Sequence, residues 1–170
     1  MSRANERGRP VIVGLGNALR SDDGVGVCAV QLLRELAPGD VELVELGCAG
    51  PDLALLLEGA QRAVIIDAVE AGRAPGSIVE FAPEGAPANL RFCTTHEIGL
   101  LEALGVARAL DKLPRRTVVL GVQVASTAPG RELSPAVRAA VAQVARRALA
   151  LARGERSPAR RPQGGRADGR

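Results

Sequence analysis

The sequence predicts an α/β three-layer sandwich: a mainly parallel, twisted five-stranded sheet with one antiparallel strand and helices on both faces. Three observations predict it. Short β-branched runs alternate along the chain with segments of helical spacing. Two of those runs, VIVGLG at 11–16 and AVIIDAV at 63–69, are largely apolar without alternation, as strands covered on both faces are. The six residues AGRAPG that follow the second run are too few for a crossover helix, so the next strand turns back antiparallel.

The elements follow in order. Residues 11–16 form the first strand and end in glycines. From Asp22 to Leu36 the residues Val25, Cys28, Ala29, Leu32, Leu33 and Leu36 recur at helical spacing. Asp22 and Asp23 stand where N-caps belong, and Pro38-Gly39 stops this helix. VELVEL (41–46) is the second strand, and Pro51-Asp52 opens a short helix through Leu57 that closes at Gly59. AVIIDAV is the third strand and SIVEF (77–81) the antiparallel one. Residues 82–95 read as a loop, followed by a helix from about Glu97 to Leu110. TVVLGVQV (117–124) is the last strand. Ser134 then caps a final helix that has Pro135 at its first position and runs to Leu151.

A chain of 170 residues holds one ordinary domain, and 46% hydrophobic residues supply a core for it. Phe81 and Phe92 are the only aromatic rings, which counts against nucleic-acid modules that stack bases and against carbohydrate platforms. No apolar run approaches the roughly 18–20 residues of a membrane span. The start MSRANERGRP has no secretory h-region, so a cytoplasmic protein with no membrane partner is expected. The formal charge of +3 is unevenly placed. Six arginines face only Glu155 and Asp168 between 153 and 170, so the rest of the chain is close to neutral. Residues 1–10 and the Arg-rich 153–170 read as disordered flanks of a domain at 11–152, expected to be a monomer. Three cysteines with no C-x-x-C pair fit a reducing compartment.

In open α/β sheets ligands bind beyond the carboxyl ends of the strands. Three segments carry polar residues there: GLGNALRSDDGVG (14–26), Asp67, and CTTHEIGL (93–100) with His96, the single histidine. A carboxylate after Val64, Ile65 and Ile66 is expensive to bury unless paired or metal-bound. Asp67 either caps the following loop or serves a site, and its place at the crevice favours the second. One acidic residue is enough to cap the first helix, which leaves the other of Asp22 and Asp23 for another task. Gly24 and Gly26 each cost that helix about 1 kcal/mol relative to alanine, so a close backbone approach is expected there. A lone histidine is more often a satisfied surface residue than a ligand. Beside two crevice carboxylates, His96 instead completes a plausible set for zinc or nickel. Cys93, three residues earlier, either adds a thiolate or simply packs. Other schemes fail: Leu100 breaks H-E-x-x-H, and neither a G-x-S-x-G elbow nor a P-loop exists. Leu19 holds the third-glycine position of a dinucleotide fingerprint, although Glu45 suits a ribose-binding acid. A small nucleotide-binding domain using the 14–26 loop is therefore the alternative.

GLGNALRSDDGVG, VIIDAVEAGRAPGSI and TTHEIGL, in this order, resemble the hydrogenase maturation endopeptidase family from about Val11 to Leu151. The resemblance implies an enzyme that removes a C-terminal extension from the large-subunit precursor of a nickel–iron hydrogenase after nickel insertion. It implies a twisted five-stranded sheet between helices, in agreement with the element pattern. The family's metal-binding residues fall on Asp23, the second acid of the first motif, and on Asp67 and His96. Nickel would be sensed in the precursor, with zinc or cadmium able to occupy the site in the isolated protein. For the hydrolysis, a water activated by metal is the simplest account, with either aspartate as an alternative base in an aspartyl-type scheme. The Arg-rich tail lies outside the family pattern, and Cys48 has no assigned role.

Overall fold

The computed structural model describes residues 8–36, 38–93 and 99–156. Along the chain run β1 (Val11–Leu15), α1 (Val25–Glu35), β2 (Glu42–Leu46), α2 (Pro51–Leu57) and β3 (Ala63–Glu70). They are followed by β4 (Ile78–Phe81), β5 (Arg91–Phe92), α3 (Leu100–Ala109), β6 (Thr117–Gln123) and α4 (Pro135–Ala152). The sheet order is β2-β1-β3-β6-β4, with β5 on β3. β2, β1, β3 and β6 are parallel, and β4 is antiparallel to β6. The expected sandwich is present, with six strands rather than five.

The sixth strand is β5, two residues inside the stretch read as a loop. It pairs antiparallel with the end of β3 at Val69–Phe92 and Glu70–Arg91. β4 has the expected direction, but its neighbour is β6 and not β3. Its preceding loop crosses the end of β6, where the buried Gln123 side chain accepts N–H bonds from Ala71 (2.7 Å) and Arg73 (3.1 Å).

Alternation along the strands separates two cores. Ile12, Val64, Ile66, Leu120 and Val122 face α1 and α4. Val11, Val13, Ile65 and Val119 face α2 and α3. α4 lays Val137, Ala140, Val144, Ala148 and Leu151 on the first core at helical spacing. Contacts also reach past 11–152: Gly8 N–H donates to Gly59 (3.0 Å), and Arg153 meets Asp40 at 2.8 Å.

Candidate active site

β1 leads to β2 on one side of the sheet, and the chain returns to β3 on the other. The carboxyl ends of β1 and β3 therefore border the crevice where the strand order reverses. β1 pairs with β3 only as far as Gly14–Ile66, and β5 takes up the same edge from Val69. Asp67 and Ala68 lie in the interval between those two partners.

Two close backbone approaches bring the first motif to that interval. A Cβ on Gly26 would stand 2.4 Å from the Leu15 oxygen and 2.5 Å from the Ile66 oxygen. Gly16 has φ +124°, and a Cβ there would stand 1.8 Å from the Asp23 oxygen. The start of α1 and the 3-10 turn Ser21–Gly24 thus sit directly on the strand ends. These glycines serve contacts within the chain. The space that a phosphate would need is filled by backbone, so the nucleotide-binding alternative finds no support.

Asp23 is 4% exposed, and its Oδ2 accepts the Asn17 N–H at 3.0 Å. Asn17 shapes the turn by accepting the Leu19 N–H at 2.9 Å. Asp67 is fully buried. Its Oδ1 accepts the Ala68 N–H at 2.8 Å, while its Oδ2 has no hydrogen-bond partner among the described residues. Burial pushes its pKa up to about 8, the Asp23 charge pushes the same way, and the Ala68 N–H pulls against both.

Cys93 donates its N–H to the Ala68 oxygen at 3.2 Å, which ties it beside Asp67. Burial pushes its thiol up to about 12, followed by the charges of Asp67, Glu70 and Asp23, with Arg20 opposing. Without a metal it is a neutral thiol packed against the α1/α4 core. A groove of about 440 Å³ opens next to the Asn17 turn, with Val27, Glu45 and Cys48 among its walls.

Asp22 has a separate task that sequence reasoning missed. It makes no cap for its own helix. Its Oδ2 accepts the N–H groups of Ala125 (2.8 Å) and Ser126 (3.1 Å) and the Ser134 hydroxyl (2.9 Å), and its Oδ1 accepts the Ser134 N–H (2.6 Å). Burial works to raise its pKa, yet these donors prevail and hold the carboxyl below its ordinary value. Asp22 thereby fastens the 125–134 loop and the start of α4 to the first motif. Ser134 holds the N-cap position before Pro135 as the sequence signals, but its hydroxyl turns to Asp22 and makes no cap bond; a partner 112 positions away was not visible in sequence.

Asp23 and Asp67 are brought together, and Cys93 stands beside them. His96 lies outside the described residues, as does the start expected for the third helix at Glu97. Among the described residues, no three His, Cys, Asp or Glu side chains form a metal-holding group.

The family model for hydrogenase maturation proteases matches residues 27–151. The hydrogenase 2 maturation protease of Escherichia coli K12 is 30% identical over 149 residues, which cover 85% of this chain and 91% of that one. The hydrogenase expression/formation protein HupD of Rhodobacter capsulatus is 31% identical over 134 residues, and this chain spans 64% of its length. Among solved structures, the hydrogenase maturating endopeptidase HybD from E. coli aligns with a TM-score of 0.75 at 29% identity, covering 85% of this chain and 92% of that one. HybD from Thermococcus kodakarensis aligns at 0.71 and 33% identity, with 85% and 99% covered. On both the sequence match and the shared fold, the chain belongs to the hydrogenase maturation protease family.

Proposed function

We propose that this protein is an endopeptidase that removes a C-terminal extension from a nickel–iron hydrogenase large-subunit precursor once nickel has been inserted. Asp23, Asp67 and His96 are the residues assigned to reading the metal and carrying the cleavage. The observation that supports this reading is the buried Asp67 Oδ2, to which no donor among the described residues bonds, lying beside the Asp23 carboxylate. Two buried carboxylates at one site hold either a proton or a cation. The donor set, two carboxylates with an imidazole, suits a first-row divalent ion.

The substrate then brings its own licence. Against a precursor without nickel, Asp67 keeps its proton and has no basic lone pair to offer. Against a loaded precursor, the nearby positive charge favours the ionised form, and Asp67 can accept a proton from the attacking water. The water oxygen bonds to the scissile carbonyl carbon, the C–N bond breaks, and the proton passes to the departing amine. Asn17 N–H keeps Asp23 in place throughout. The groove beside Asn17 is the space we assign to the precursor's C-terminal segment. No helix among the described residues is long and apolar enough to cross a membrane. Cytoplasmic work by a monomer on a folded precursor is the setting we propose. In a strain lacking this protein and any redundant protease, wild type should restore the shortened large subunit on a gel. Asp23→Asn, Asp67→Asn and His96→Ala should each leave it full length; processing by all three would reject the assignment.

A further inference from the structure

At the opposite end of the sheet, where β3 and β6 begin, lies a cavity of about 330 Å³. Arg62 stands immediately before β3, Arg116 immediately before β6, and Arg156 just beyond α4, and all three line it. Backbone bonds fix these positions: the Arg62 oxygen accepts the Val11 N–H at 2.9 Å, and the Arg116 oxygen accepts the Ala63 N–H at 3.0 Å. α4 closes on Gly154, with Gly154 N–H to Leu151 and Glu155 N–H to Ala150, both 3.0 Å. Arg147, held by Glu80 at 2.8 Å, donates to the Arg156 oxygen at 3.3 Å and so orders that wall.

The cavity's charge is unbalanced. Arg34, Arg108, Arg138, Arg147 and Arg153 each meet a carboxylate. Among the described residues, Arg62, Arg116 and Arg156 meet none, and Glu155, which also lines the cavity, sits 3.7 Å from Arg147. Arg62 Nη1 donates to the Gln61 side chain at 2.8 Å, but its buried Nε has no acceptor among the described residues. The inner wall is apolar, with Val64, Val118 and Leu151.

We propose that this cavity binds a compact organic phosphate. Phosphate oxygens accept from the guanidinium forks of Arg62 and Arg116, which supplies the buried Nε with an acceptor. The carbon portion lies on the wall of Val64, Val118 and Leu151, and the volume suits a small ligand. Asp67 is five residues along β3 from Arg62, about 16 Å, so this site is separate from the cleavage site.

Calorimetry on the full chain at fixed ionic strength tests this, with phenyl phosphate, inorganic phosphate and phenol as probes. Phenyl phosphate should bind one to one and at least fivefold tighter than inorganic phosphate, with phenol silent. Arg116→Gln, at an exposed position, should weaken it tenfold or more; Arg62→Gln should do the same, and Asp67→Asn should leave it unchanged. Should Arg62→Gln fail to fold, Arg116→Gln and amide shifts at Val118 and Gly154 on titration decide the matter. Absence of saturable binding, equal affinity for the two phosphates, or wild-type affinity in Arg116→Gln would overturn the proposal.

Discussion

Asp67 is buried with its pKa pushed up to about 8, whereas an unfolded chain releases that proton near 3.8. Between those values the folded state keeps a proton that the unfolded state has lost, so the metal-free protein loses stability as pH rises through this window. The slope is about 1.4 kcal/mol per pH unit for one proton, and several kcal/mol accumulate by pH 8. Asp67→Asn removes the titration. Urea unfolding should show its advantage over wild type growing by several kcal/mol between pH 5 and pH 8, while processing is lost; a difference that does not change between the two values would contradict the electrostatic account. Asp22 has the opposite sign. Its lowered pKa gives stability that is present above about pH 4 and lost as pH falls through the folded value. Asp22→Ala leaves four donors unmet and should cost about 3 kcal/mol in the same assay at pH 7, whereas Asp23→Asn should unfold near wild type. In sequence these neighbouring aspartates are interchangeable candidates for cap and site. The family motif assigns the site role to Asp23, and the distant loop that Asp22 fastens supplies the physical reason why Asp22 is engaged elsewhere.

The strand–helix junction between β1 and α1 is set by backbone packed on backbone. Gly26→Ala would drive a methyl group into the oxygens of Leu15 and Ile66, neither of which is a flexible side chain. The expected loss is about 3 kcal/mol, with the Asp23 turn displaced from Asp67 and processing lost together with thermal stability. A Gly26→Ala variant with unchanged melting would show that the approach is looser than these distances require. The glycine pattern announced a close approach at this place. Both helix-period and strand-period segments were also legible, because burial on one stripe or on both faces leaves a repeating pattern. β5 left none: two residues are too few for periodicity, and their pairing with Val69 and Glu70 depends on where the chain returns. The partner of β4 was equally hidden, since Gln123 decides where the 71–76 loop crosses.

For the whole molecule, two ends of one sheet have different chemistry. The carboxyl ends gather Asp23 and Asp67, and the amino ends gather Arg62 and Arg116. Fold class and the place of the aspartates at the carboxyl ends follow from alternating elements and the strand-end aspartate, so they were readable from residue order; the arginines at the amino ends were not, because their meeting depends on how β3, β6 and the end of α4 come together. The role of His96 rests on its motif, since its position lies outside the described residues. Residues 157–170 contain no Val, Leu, Ile, Met or aromatic side chain. Truncation after Arg156 should leave the melting temperature and processing unchanged; a drop of several degrees would show that the tail docks. The claim that nickel in the substrate licenses the cut through Asp67 is tested most directly with purified precursor, loaded and unloaded, followed by intact mass. Wild type should shorten the loaded precursor alone, and folded Asp67→Asn should shorten neither. Cleavage of the unloaded precursor by wild type, or of the loaded one by Asp67→Asn at the wild-type rate, would contradict the account.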